Sequence, residues 1–271
     1  MITTFDTKIT GPNLVIMAGV HGDEPCGVVA LREAMSKYTI TRGRITWIIG
    51  SPEAVINSRR EYQTNLNRMF RADWLLSKFE KQTYEYVRSR ELMPILAEAD
   101  ALLDIHSSTT PDTIPFVICE SQSYQTAALL PVTIVVSGID TLHPTGTDAY
   151  VNEKGRQGIC IECGNHNDLQ AVEVAKEAIK SFLCAFGVIQ IEELASPIAQ
   201  RYIKAEWIYK NKSKFLLAKD FPEFARINEG EVIGYDGGKA IYANTSGVIL
   251  FPQNCTESGR EAFVFGKEIV L

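Results

Sequence analysis

The 271-residue chain has no apolar run near the ~20 residues that a membrane-spanning helix needs, so no membrane partner is expected. Its first residues, MITTFDTKIT, lack a basic stretch followed by an apolar one, and no signal peptide is expected. A surplus of positive charge is also missing. The net charge of -6 speaks against nucleic acid or an anionic bilayer as the main partner, since both call for a basic face. It does not exclude an anionic small molecule, because a few local arginines can reverse the field inside a pocket. The six cysteines include a single CxxC, Cys160 and Cys163, with no second one to complete a four-cysteine metal site. In the strand-like GICIECG those two side chains point to opposite faces, so the cysteines read as small core residues in a reducing cytoplasm. No internal repeat or low-complexity segment is present.

What is present is an ordinary globular composition, 45% hydrophobic and 22% charged. The length predicts one large domain plus a small one, with a core that needs no disulfide staples. Strand-like and helix-like patterns alternate over residues 1–192, which predicts an α/β domain. Strands are expected over Leu14 to Val20, Ile45 to Ile49, Ala101 to Ile105, Ile114 to Cys119, Val132 to Val136 and Gly158 to Cys163. Helices are expected over Pro25 to Tyr38, Glu80 to Glu98, and from an Asp168 N-cap to about Phe186, with Leu169, Val172, Ile179 and Phe182 on or near one face. Residues 193–271 are punctuated by glycines between short β-rich stretches and read as a small β domain.

Three segments carry chemistry, each expected where a strand ends, which is where open α/β sheets bind ligands. In Gly19-Val20-His21-Gly22-Asp23-Glu24-Pro25, an imidazole and a carboxylate flank a turn and can share one metal; a helix-capping turn is the blander alternative. In Leu102-Leu103-Asp104-Ile105-His106, a buried strand delivers His106, and Asp104 two residues away can fix its tautomer. A satisfied core histidine is the commoner fate of a lone one, but the chain has only four histidines and two of them fall at strand ends. In Gly158-Ile159-Cys160-Ile161-Glu162-Cys163-Gly164, a carboxylate inside an apolar strand is costly unless paired or functional, which makes Glu162 a candidate general base. A structural ion pair is the alternative there. A fourth segment, Arg60 to Phe70, holds Arg60 and Arg68 with Asn67 beside the second, and guanidinium forks match carboxylates.

HGDE, RxxxxNLNRMF, DIHSS and IECG, in this order and spacing, resemble the succinylglutamate desuccinylase and aspartoacylase family of the zinc-carboxypeptidase superfamily. The resemblance covers most of the first ~190 residues, and the β-rich tail looks like that family's small C-terminal domain. It implies a zinc-carboxypeptidase-like α/β fold, a mixed sheet flanked by helices. It also implies one catalytic zinc per chain and hydrolysis of a small-molecule N-acyl amino acid. Carried over by position, His21, Glu24 and His106 match the zinc ligands and Glu162 the catalytic base. Arg60 matches the arginine that polarises the scissile carbonyl, and Asn67 with Arg68 the pair that grips the substrate carboxylate. Two departures stand out. The family's usual Asp-Leu-Asn-Arg is here Asn65-Leu66-Asn67-Arg68, and no arginine stands at the position before the catalytic strand that aspartoacylases use to hold the substrate side chain. Arg156 is nearby but displaced. A zinc carboxypeptidase acting on small peptides ranks second, since a covering β domain restricts access. A non-catalytic zinc- or carboxylate-binding protein ranks third, since binding alone does not need a base at 162. A homo-oligomer is left open.

Overall fold

The computed structural model describes residues 1–110, 113–190 and 198–271. In chain order its elements are β1 (Ile2–Asp6), β2 (Asn13–Ala18), α1 (Pro25–Lys37), β3 (Arg44–Ile49), α2 (Pro52–Ile56), α3 (Tyr84–Glu98), β4 (Ala101–Ser108), β5 (Phe116–Cys119), α4 (Tyr124–Ala127), β6 (Ile134–Ser137), α5 (Ile139–Leu142), α6 (Thr147–Asn152), β7 (Gln157–Asn165) and α7 (Leu169–Ala185). The C-terminal part adds β8 (Arg201–Lys210), β9 (Phe215–Leu217), β10 (Arg226–Ile227), β11 (Val232–Asp236), β12 (Lys239–Tyr242), β13 (Gly247–Leu250) and β14 (Glu261–Ile269). Every strand expected in the first 190 residues is present, within a few residues of its expected ends.

The sheet runs β1-β3-β2-β4-β7-β5-β6-β8-β14-β13-β10, and β12-β11-β9 form a separate small sheet. Strands β3, β2, β4 and β7 are mutually parallel, and β5 enters antiparallel to β7. The sheet is therefore mixed, with helices on both sides. Much of the C-terminal region continues the main sheet, because β8 pairs in parallel with β6. The domain boundary expected at 192/193 lies outside the described residues.

The central strands are nearly all apolar because both their faces are covered. One face packs against α1 and α7 in a core that includes Leu103, Ile105, Ile159, Ile161, Cys163 and Phe182. The other packs against α3 and α6 through Val15, Met17, Leu92, Leu96 and Val151. Further along that second face, Phe116, Ile118 and Cys160 meet Phe224, Val248 and Leu250 from the C-terminal region. Cys160 and Cys163 thus fall on opposite faces, and all six cysteines are free.

Helix α7 begins as expected, with the Asp168 side chain accepting from the Gln170 N–H. Its buried stripe keeps the expected Ile179 and Phe182, with Val172 partly buried, and departs from expectation at Leu169. Ala171, Ala175, Ala178, Ile179 and Phe182 face the core, while Leu169 is 83% exposed. The reason is close packing between helices: α1 presents Ala30 and Ala34 to the same core, and small residues on both helices shorten their approach. The helix expected from Glu80 starts at Tyr84, where the Thr83 hydroxyl caps the Tyr86 N–H after a short 3-10 turn.

Candidate active site

The loop after β2 carries His21 and Glu24. It must fold back over α2, and a Cβ on Gly22 would lie 2.0 Å from the carbonyl carbon of Ala54, so only glycine fits. Gly19 makes the turn with φ +67, a conformation L residues rarely adopt. Glu24 stands just before α1, but its side chain does not cap the helix. Its Oε1 lies 2.7 Å from His21 Nδ1 and its Oε2 lies 2.9 Å from His106 Nδ1. Oε2 also accepts from the Ser107 N–H, and Oε1 from Arg60 Nη1 at 3.1 Å. His21, Glu24 and His106 are all buried, and one ligand atom from each lies within 4.8 Å of the others.

Two imidazoles and a carboxylate form a donor set that suits zinc. The outer nitrogens of both rings face acceptors: His21 Nε2 lies 3.2 Å from Asn65 Oδ1, and His106 Nε2 lies 3.1 Å from Asp104 Oδ2. The Asn65 oxygen holds the proton of His21 on Nε2 and leaves its Nδ1 to a metal, while His106 Nε2 is buried close to the Asp104 carboxylate without a hydrogen bond. The Asp104 placement matches the sequence expectation. His106 differs slightly, because β4 continues to Ser108 and the histidine lies inside the strand, at a point where its register with β7 shifts.

Glu162 is the cross-strand neighbour of His106, on β7. Its Oε2 is buried without a hydrogen-bond partner among the described residues. Burial, then the charge of Glu24, pushes its pKa up to about 8, against the opposing pull of His106 and Arg60. Glu24 responds in the other direction. Burial alone would raise its pKa, but His106 and His21 outweigh it and hold the carboxyl well below the usual range. Two buried acids side by side are thus driven apart, one fixed as an anion and one poised to exchange a proton.

The segment from Arg60 to Phe70 comes to the same place. Arg60 reaches Glu24 as described, and Asn67 and Arg68 lie in a short 3-10 turn, Leu66–Arg68, capped by Asn65. The Asn67 Oδ1 accepts from the Thr147 N–H at 3.1 Å. Arg68 makes no ion pair within 4.0 Å among the described residues, and burial lowers its pKa. Arg156 is not brought in. It pairs with Asp100 at 2.7 Å just before β7, six residues from Glu162, or about 20 Å along an extended chain.

One residue that holds this site was missed by sequence reasoning. Glu85 is fully buried and accepts from the N–H groups of Tyr62, Gln63 and Thr64, fixing the arginine-bearing loop to α3. A signal existed: Glu85 lies on the same helical stripe as Leu92 and Leu96, where a charge calls for a partner. His143 and Glu261, 2.6 Å apart, were also missed; they join the 143–147 loop to β14.

The model of the succinylglutamate desuccinylase/aspartoacylase catalytic domain matches residues 10–183, and the chain belongs to that family. It is 22% identical over 301 residues to a succinylglutamate desuccinylase of Pseudoalteromonas atlantica, covering 97% of this chain and 83% of that one. It is 26% identical over 224 residues to an N-alpha-acetyl-L-2,4-diaminobutyric acid deacetylase of Halomonas elongata, covering 72% of this chain and 64% of that one. The fold superposes on the crystal structure of succinylglutamate desuccinylase from Vibrio cholerae with a TM-score of 0.81 at 18% identity, covering 98% of this chain and 85% of that one.

Proposed function

We propose that this protein is a zinc-dependent hydrolase that cleaves the amide bond of an N-acyl amino acid, with residues 1–192 as its catalytic unit. The observation that carries this reading is the convergence of two buried imidazoles on both oxygens of Glu24, beside a half-buried Glu162 whose Oε2 is itself buried and has no partner among the described residues. The names of the relatives agree with it, since both describe removal of an acyl group from an amino acid. The six free cysteines support a reducing cytoplasm as its compartment.

His21, Glu24 and His106 would hold the zinc, which supplies Lewis-acid polarisation and a more acidic water. Glu162 takes a proton from the attacking water on Oε2 and returns it to the leaving amine nitrogen. Arg60 donates to the carbonyl oxygen as charge develops there. The Asn67 amide and the Arg68 fork bind the α-carboxylate and orient the scissile bond.

Metal analysis of protein purified without chelator, together with amine release from a panel of N-acyl amino acids, tests this reading. One zinc per chain and at least one hydrolysed substrate are expected, with zinc lost in His106→Ala. Full zinc occupancy in that variant would overturn the ligand assignment. Zinc without any amine release would leave a binding protein, and release from small peptides alone would make it a carboxypeptidase.

A further inference from the structure

The outer nitrogens of the two histidines do not end in separate partners. They are joined by one path of polar contacts that passes through Asn67. From His21 Nε2 the path reaches Asn65 Oδ1 at 3.2 Å, and that same oxygen accepts from the Asn67 N–H at 2.9 Å. The Asn67 Oδ1 then accepts from the Thr147 N–H at 3.1 Å. The Thr147 hydroxyl donates to Asp104 Oδ2, whose charge lies 3.1 Å from His106 Nε2, an electrostatic contact and not an aligned hydrogen bond. Thr147 and Asp104 are both fully buried, so neither end of their contact is relieved by water.

The path fixes orientations as well as positions. Asn65 Oδ1 faces two donors, so its amide cannot flip without losing both. Asn67 Oδ1 faces the Thr147 N–H, and its Nδ2 has no acceptor among the described residues. The residue assigned to the substrate carboxylate is therefore held by the same belt that orients both imidazoles.

We propose that Asn65 and Thr147 are positioning residues that tie the His21–Glu24–His106 centre to the Asn67 amide, so that loosening the belt weakens metal and substrate binding together. This rests on the reading of those three residues as zinc ligands. Thr147 is the informative position, because it touches neither a ligand nor the expected substrate. Removing an outer partner of a metal ligand typically costs ~10–100-fold in affinity.

The test is zinc affinity by chelator competition for wild type, Thr147→Val, Thr147→Ser and Asn65→Ala, alongside the melting temperature of each metal-free protein. Thr147→Val keeps the shape and removes the hydroxyl. It should weaken zinc by about 10-fold or more, Asn65→Ala should do the same, and Thr147→Ser should stay within about twofold of wild type. On the substrate found by the acyl panel, at saturating zinc, Thr147→Val should raise KM several-fold with a smaller change in kcat. Unchanged zinc affinity in both Thr147→Val and Asn65→Ala overturns the proposal, as does an equal loss in Thr147→Ser. A loss that merely follows metal-free stability overturns it too. Wild type that binds no zinc, or hydrolyses nothing, sinks the proposed function instead, so the two failures are distinguishable.

Discussion

The two faces of β4 and β7 are built from the same eight- and nine-residue strands and could hardly differ more. Leu103, Ile105, Ile159, Ile161 and Cys163 point toward α1 and α7 into an apolar core. Asp104, His106, Cys160 and Glu162 point the other way, and all four carry ionisable groups in or at the edge of the interior. Period-two alternation lets one strand hold the fold together on one side and keep costly groups on the other. The apolar face bears the stability that the polar face consumes.

Removing Glu162 should break this comparison most sharply. Glu162→Gln keeps the shape and removes an ionisation that burial disfavours, so zinc content and melting temperature should hold or rise. Turnover should fall by about 10²–10⁴-fold, the range for a lost general base. Near-normal turnover at full metal content would remove Glu162 from the chemistry. The mirror experiment is Phe182→Ala on the opposite face. It empties a fully buried position and should cost about 3–5 kcal/mol of unfolding free energy, measured by denaturant titration. Zinc affinity of the fraction that remains folded should be unchanged; a parallel loss would mean that the two faces are not separable.

The part of this division that was readable in the sequence is the part that lies within single segments. Alternation in LLDIHSS and GICIECG announces which side chains share a face, and HxxE across a glycine turn announces that an imidazole and a carboxylate meet. Asp168 declares its helix because a cap acts on the next two residues. What stayed hidden depends on pairings far apart in the chain. Glu85 serves amides more than 20 positions earlier, and the Thr147 hydroxyl meets Asp104 from 43 positions away. Nor does local pattern reveal that β8 and β14 extend the main sheet, since edge pairing is decided by which strand remains open. The α7 stripe was misjudged at Leu169 for a related reason: alanine carries little hydrophobic signal, yet it is what close helix packing selects.

A smaller effect is expected at the carboxylate clamp. With an active N-acyl amino acid in hand, its primary amide should lose on the order of 10²-fold in kcat/KM, because Arg68 and Asn67 are then left without their partner. Arg68→Lys should be poorly tolerated for the same substrate, since an ammonium is a point charge and not a fork. Equal kcat/KM for acid and amide would remove the clamp and leave the rest of the site standing.

The smallest expected effect concerns the acids beside α5 and α6, which cover the polar face. Burial, then the charge of Asp148, raises the pKa of Asp140 to about 7, although Asn152 Nδ2 donates to it at 2.8 Å. Burial, then Asp104, raises Asp148 to about 6. Unfolded, each would titrate near 3.8. The folded chain therefore holds protons that the unfolded chain has already lost, and stability falls as pH rises from about 4 through 7. Asp140→Asn removes the ionisation and keeps an oxygen to accept from Asn152. At pH 8 the variant should melt above wild type by roughly 2–4 °C, on the order of 1 kcal/mol for a chain of this size. The gap should narrow as pH falls toward 4, where the folded acid is protonated and the unfolded one is only about half ionised. Melting curves of the two proteins at pH 4.5, 6 and 8 make the check. Parallel pH profiles would show that the pair is charged and compensated in the folded state, and the polar face would then be less costly than its acids imply.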